Sequence, residues 1–287
     1  MIKSIRFVVN LKVFIYLKNM SQVQNLLINN ILKTEDKIYF NKDLLSPQQQ
    51  LLLQNYLDKI ASGYPVDYIL GEVDFCGQKF LVNEGVFLPR WETEWWTAEI
   101  IKAKKLEISI FNSEIIKTLS DTDFVLEIGV GSGIIGLSLA AYFDTILGLD
   151  INSLAIDLSK KNQEKLHIKN YQIVKSDLFQ NFDIKTKLPQ SWLLIANLPY
   201  VPMIDYPEKI KNKIVFEPDN AIFSGQDGLQ LFKQVIEEIK LNPPQIAFFE
   251  LDPRNIHTAS KLAKIVFKTQ IIYTDPDKLE RLLVCKI

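Results

Sequence analysis

An apolar run at 124–128 passes into Gly129-Val130-Gly131-Ser132-Gly133, and a second apolar stretch, 134–141, follows without interruption. That order commits the chain to a strand, a tight turn and a helix, because glycines at the corner permit the turn and let a ligand approach bare backbone. The alternation continues downstream. Apolar runs at 146–150, 171–174, 192–196, 246–250, 266–273 and 281–286 are separated by stretches of helical character, which predicts an α/β fold with a doubly wound sheet whose central strands are parallel. The last two runs are joined only by Thr274 to Glu280. That is too short for a crossover helix, so they are expected as an antiparallel pair at one edge.

The upstream part is organised differently. Residues 21–62 carry apolar positions at helical spacing, with Ser46-Pro47 as a helix start, and Gly63-Tyr64-Pro65 punctuates them. Residues 72–88 then alternate, with turn signals at Cys76-Gly77-Gln78 and Asn83-Glu84-Gly85, and a helix is expected to begin near Glu92. We therefore read 1–70 as an N-terminal segment and helical region, 71–88 as a β-hairpin linker and 89–287 as the main domain. A chain of 287 residues with 47% hydrophobic content can bury one α/β core with length left for a small second region.

Charge and cysteine usage narrow the partners. Lys plus Arg (33) nearly balance Asp plus Glu (34), so bulk charge demands neither nucleic acid nor a membrane surface. Cys76, Cys285, His167 and His257 show no metal-ligand spacing, and no metal is expected. The first 34 residues hold Lys3, Arg6, Lys12, Lys18 and Lys33 and no acidic residue. This bias suits a mitochondrial targeting segment; an amphipathic first helix of a cytoplasmic protein fits it too. The apolar stretch at 7–17 is too short to span a bilayer, which takes about 20 residues.

The glycine turn alone leaves its ligand open. Gly131 to Gly136 also satisfies GxGxxG, and Asp150 follows at about the 20-residue distance of a dinucleotide fingerprint. Glu127 tilts the reading: a carboxylate at the loop mouth repels a pyrophosphate and suits the cationic sulfonium and amino group of S-adenosylmethionine. Asp150, ending the next strand, can accept from ribose hydroxyls, and Asp177 beside Leu178 can accept from an adenine amino group. A structural strand-end carboxylate or a helix cap is the plainer alternative for both. The expected cofactor-binding set is Glu127, Gly129, Gly131, Gly133, Asp150, Asp177, Leu178 and Asn197.

The fourth run of the main domain ends in Asn197-Leu198-Pro199-Tyr200, the expected catalytic tetrapeptide. A nitrogen whose lone pair is delocalised is a weak nucleophile, so a site that methylates it must hold the NH₂ and aim its lone pair. The Asn197 side-chain oxygen and the Leu198 carbonyl can each accept one N–H, and the Tyr200 ring can pack on a planar amide. No base is needed first, because the methylated nitrogen is acidic and loses its proton afterwards.

Further blocks carry a resemblance. Gly63 to Gly71, then Phe75, Gly77 and Phe80, look like a domain junction and hairpin. Phe87-Leu88-Pro89-Arg90-Trp91-Glu92-Thr93-Glu94 looks like a proline-arginine block. Phe216-Glu217-Pro218, Ala221, Gly225, Asp227-Gly228-Leu229, Phe249-Glu250, Asp275 and Arg281 complete the pattern. Over roughly 63–287 the chain resembles the protein-(glutamine-N5) methyltransferases that modify peptide-chain release factors. The resemblance implies a class I methyltransferase fold, seven-stranded and Rossmann-like, with a small N-terminal helical domain and hairpin linker. It also implies S-adenosyl-L-methionine as cofactor and, as substrate, the glutamine of a release factor's Gly-Gly-Gln loop. Leu198 and Trp91 stand where that family usually carries proline. Two other readings stay open. A ribosomal RNA adenine-N6 methyltransferase often carries Asn-Leu-Pro-Tyr, although its glycine loop lies near the N-terminus and its surface is basic. The third reading is a catalytically silent methyltransferase-like binding protein.

Overall fold

The computed structural model describes residues 45–180, 188–203 and 216–287, together with 23, 24, 27, 28, 30 and 31. Apart from those few positions, the segment read as a targeting sequence lies outside the described residues. Helix α1 (Pro47–Ala61) starts where Ser46-Pro47 predicts. The Ser46 hydroxyl accepts from the Gln49 amide at 3.3 Å, and the Gln49 side chain accepts from the Ser46 amide at 2.9 Å. This reciprocal cap satisfies two of the donors that a helix start otherwise leaves unpaired. Leu53 and Ile60 of α1 pack with Val23, Leu27, Ile28, Leu45 and Val66 into a small separate core.

The junction block holds a helix that periodicity did not predict, α2 (Val66–Leu70), which ends on Gly71 at φ 74. A residue with a Cβ resists that left-handed conformation, so glycine is what lets the chain turn directly into the hairpin. The hairpin itself is as expected: β1 (Glu72–Phe75) pairs antiparallel with β2 (Gln78–Leu81). Phe75 and Phe80 enter the main core beside Trp96 of α3 (Trp91–Lys104). Trp91 takes the first position of α3, a place where proline's missing N–H costs nothing and where another residue's N–H need not be satisfied within the helix. α4 (Ser113–Ser120) leads into the sheet.

The sheet has seven strands in the order β5-β4-β3-β6-β7-β9-β8. They are β3 (Phe124–Ile128), β4 (Thr145–Asp150), β5 (Tyr171–Lys175), β6 (Leu193–Ala196), β7 (Ile246–Glu250), β8 (Thr269–Thr274) and β9 (Glu280–Lys286). The first five are parallel, and β9 runs antiparallel between β7 and the edge strand β8. Two boundaries differ from expectation. β8 begins at Thr269, not at 266, because the amides of Val266 and Phe267 both bond back to the Ala263 carbonyl and close α8 (Ile256–Ala263). The helix after the glycine turn, α5 (Ile134–Leu139), stops short of 141. α6 (Ser153–Lys165) and α7 (Gln230–Ile239) complete the helical layers.

Topology now positions the site. From β3 the chain builds outward through β4 and β5, then returns to lay β6 on the opposite side of β3. Ile128 and Ala196 are therefore register partners at adjacent strand ends. The glycine turn and the tetrapeptide emerge side by side at this reversal, where open α/β sheets leave a crevice beyond the carboxyl ends of their strands.

Candidate active site

A cleft of about 970 Å³, counting its open mouth, lies at that crevice. Its walls include Gly129, Gly131, Asp150, Asp177, Leu178, Asn197, Leu198 and Pro199 of the expected residues, and also Val86, Phe87, Pro89 and Thr93. Gly129 sits at φ 79, and a Cβ there would lie 3.5 Å from the Asn197 carbonyl oxygen. That distance is ordinary contact, so the left-handed φ is what favours glycine at this point of the turn. Asp150 ties the turn to the next strand: its Oδ2 accepts from the Gly131 amide and its Oδ1 from the Asn152 amide, both at 2.8 Å. Burial raises the Asp150 pKa, and the backbone donors oppose that rise. Each oxygen keeps a further lone pair for a hydroxyl donor in the cleft.

Three expected residues are not on the cleft wall. Glu127 shares the face of β3 that Val125 occupies; it is 1% exposed, and its Oε2 accepts from the Tyr171 hydroxyl and from the Gly136 amide. Burial pushes its pKa up to about 8, against the lowering effect of those two donors, and so favours its uncharged form. The expectation of a Glu127 carboxylate at the loop mouth is corrected: the carboxylates that reach the cleft are Asp150 and Asp177. Gly133, at φ 80, ends the turn where a Cβ would press on Ser159 of α6; it serves helix packing. Tyr200 directs its hydroxyl away, to Glu250 Oε1 at 3.1 Å.

The tetrapeptide is gripped from behind. Asn197 Nδ2 donates to Thr93 Oγ1 at 3.0 Å, and the Thr93 hydroxyl donates to Glu250 Oε2 at 2.7 Å. Trp96 Nε1 donates to the same oxygen at 2.8 Å. Burial, then the charge of Glu250, hold the Tyr200 phenol well above its ordinary pKa, so it remains a donor. The Tyr200 carbonyl accepts from Asn255 Nδ2 at 3.0 Å, and a Cβ on Gly228 would overlap it. Leu198, 7% exposed, fills the apolar core beside Gly129 in place of a ring. Downstream, the amides of Val201 and Met203 bond to the Ile222 and Gly225 carbonyls at 3.0 Å, folding 219–225 back over one wall.

The linker closes the opposite wall. Glu217 accepts from the Leu88 amide at 2.9 Å and pairs with Arg90 at 2.5 Å. Asn152 Nδ2 donates to the Gly85 carbonyl at 3.0 Å. Nearby, burial lifts the Asp67 pKa to about 6, Arg90 opposing and Glu217 adding to the rise. These contacts seat Phe87 and Pro89 against the cleft. Thr93, Glu217 and Glu250 were not assigned roles from their own spacing; the blocks at 87–94, 216–229 and 249–250 were the only signal for them, and Asn152 had none. Among the described residues no group of three or more His, Cys, Asp or Glu could hold a metal, and no helix is long and apolar enough to cross a membrane.

A seven-stranded sheet with one reversed strand, a glycine turn at its switch point and an Asn-Leu-Pro-Tyr end on the neighbouring strand define a class I methyltransferase. The Methyltransferase small domain family matches residues 102–225. The chain is 31% identical over 253 residues to the release factor glutamine methyltransferase of Borreliella burgdorferi, covering 85% of this chain and 82% of that protein. The protein of that name from Flavobacterium psychrophilum is 30% identical over 233 residues, covering 79% and 77%. That from Streptococcus pneumoniae is 27% identical over 213 residues, covering 74% and 69%. The chain belongs to the release factor glutamine methyltransferase family. These relatives are bacterial and lend nothing to the mitochondrial expectation.

Proposed function

We propose that this enzyme transfers the methyl group of S-adenosyl-L-methionine to N5 of the glutamine in the Gly-Gly-Gln loop of a peptide-chain release factor. The observation that carries the reading is the meeting of the Gly129 to Gly131 turn, Asp150 and Asn197 to Pro199 in one cleft. The residues present fit the cofactor. Gly129 carries the turn past the tetrapeptide at a left-handed φ that favours glycine, and Asp150 and Asp177 offer acceptors to hydroxyl and amino groups. Leu178 adds an apolar surface, and these residues with Gly131 and the backbone around Asn197 would hold it. When bound, it supplies an electrophilic methyl group on a sulfonium.

The chain's own part is positioning. The amide nitrogen is held by Asn197 Oδ1 and the Leu198 carbonyl, each accepting one N–H, so its lone pair faces the methyl donor side of the cleft. Pro199 stiffens the strand end that carries both acceptors. Tyr200, off the cleft wall, contributes by anchoring the tetrapeptide through its hydroxyl and its carbonyl. No residue need act as a base before transfer, because the proton leaves the nitrogen only once it is methylated and acidic. By the family resemblance, the helical region before residue 71 would contact the factor away from its loop.

Incubation with methyl-labelled cofactor, a release factor and ribosomal RNA tests the reading. Label in the factor supports it. Label in the RNA favours an adenine acceptor, and cofactor binding without any transfer favours a silent binding protein. The basic first 34 residues still motivate a mitochondrial site of action. Import of the full chain by isolated mitochondria, lost when that segment is deleted, would support this; retention outside would refute it.

A further inference from the structure

The acceptor side chain, Asn197, has two ends of nearly equal shape and opposite hydrogen-bonding character. Its oxygen can accept from a substrate NH₂, whereas its own NH₂ would meet that group donor to donor. A site built to bind an amide nitrogen must therefore decide which end faces the cleft. Among the described residues that choice is made by a chain of bonds that runs from Thr93 on the cleft wall to Glu250 buried behind it.

Trp96 Nε1 has only a proton to give, so the oxygen it meets at 2.8 Å, Glu250 Oε2, must accept. The same oxygen lies 2.7 Å from Thr93 Oγ1, whose single proton is spent on it. What Thr93 presents to Asn197 at 3.0 Å is then a lone pair, and only the Nδ2 end can meet a lone pair. Reversing Asn197 would set two acceptors face to face and leave Glu250 or Thr93 with an unmet partner in a region where Thr93 and Glu250 are each 2% exposed. The Tyr200 hydroxyl occupies the second oxygen, Oε1, which keeps the carboxylate from turning.

We infer that Glu250, which is not on the cleft wall, is a positioning residue: through Thr93 it fixes the Asn197 amide with its oxygen toward the substrate nitrogen. The inference rests on the proposed amide substrate. It assigns a purpose to two residues that come from a helix and a strand 157 positions apart in sequence. Thr93 links Glu250 to Asn197 because its hydroxyl donates to the one and accepts from the other.

The test is steady-state and single-turnover methylation of a release factor by the full chain carrying Thr93→Val, Thr93→Ser, Glu250→Met or both Thr93→Val and Glu250→Met, with cofactor binding measured on each. Thr93→Val removes the hydroxyl at nearly constant volume, and kcat should fall about tenfold or more while cofactor Kd moves less than about twofold. Thr93→Ser restores the hydroxyl and should recover most of the lost rate. Glu250→Met should show a loss of similar size. The double variant should be no slower than the worse single one, since two breaks in one chain of bonds are not additive. Wild-type kcat in Glu250→Met overturns the inference, and if that variant does not fold, Glu250→Leu takes its place.

Wild-type kcat in Thr93→Val overturns the inference. So does Thr93→Ser as slow as Thr93→Val, or cofactor affinity falling in step with kcat, or defects that multiply in the double variant. A wild-type chain that leaves the glutamine unmethylated overturns the substrate reading and this inference with it, and is distinguished by failing before any variant is compared.

Discussion

Glu127 and Glu250 lie at the carboxyl ends of strands β3 and β7, one residue before the last and the last, on the same face of the sheet, and at 1% and 2% exposure both are buried. Their surroundings differ. Glu250 has donors on both oxygens, from Thr93, Trp96 and Tyr200. Glu127 has both its donors on Oε2 and none among the described residues on Oε1. Desolvation dominates at Glu127 and favours its protonated form, packed beneath the glycine turn. The Glu250 corner instead imposes a direction on a hydrogen-bond chain that ends at the acceptor site. A strand-end carboxylate thus takes its role from the donors around it, not from its place in the topology.

Variants at the two corners should differ accordingly. The largest effect belongs to Asn197→Ala, which removes an acceptor from the site: single-turnover transfer should fall about a hundredfold to a thousandfold, on the scale of losing one preorganised polar group. Cofactor Kd, by calorimetry, should stay near the wild-type value. Asp150→Ala comes next and shows the reverse pattern, with Kd rising about tenfold or more from the loss of charge-assisted bonds, and kcat changing little at saturating cofactor. Gly228→Ala strains a backbone held at φ 76 and crowds the Tyr200 carbonyl. Denaturant unfolding should report a loss of about 1–3 kcal/mol, and turnover should drop with it.

Glu127→Gln should affect turnover least, and its signature is in stability against pH. The folded pKa of about 8 lies above the ordinary 4.5, so between those values the folded chain keeps a proton that the unfolded chain has released. Raising the pH through that window therefore costs native stability; the cost is absent below it and complete above it. Glutamine cannot ionise. The thermal midpoint of the variant should gain on that of the wild type as pH rises from about 5 to about 8.5. A constant difference across that range would mean that Glu127 is ionised in the folded protein, and the contrast between the two corners would fail.

Local pattern carried much of this architecture. The strand, glycine turn and helix at 124–141, the hairpin and the Ser46-Pro47 helix start are set by neighbours in sequence, where periodicity and turn chemistry act. The face of Glu127 was not legible, because both faces of β3 are buried and Val125, Leu126 and Ile128 give no polar-apolar alternation to orient it. Val266 and Phe267 continue an apolar run that suits either a strand or a helix end, and only their bonds to Ala263 separate the two. Asn197 to Pro199 were readable as an acceptor site from chemistry alone. The chain of bonds that orients Asn197 was not, because Thr93, Asn197 and Glu250 meet only after the sheet has formed.

The most direct test is tandem mass spectrometry of a release factor after incubation with the wild-type chain and S-adenosylmethionine. One methyl group is expected on the side-chain nitrogen of the Gly-Gly-Gln glutamine, and none with Asn197→Ala. An unmodified glutamine with methyl transfer to another residue or to RNA, or equal modification by the Asn197 variant, would contradict it.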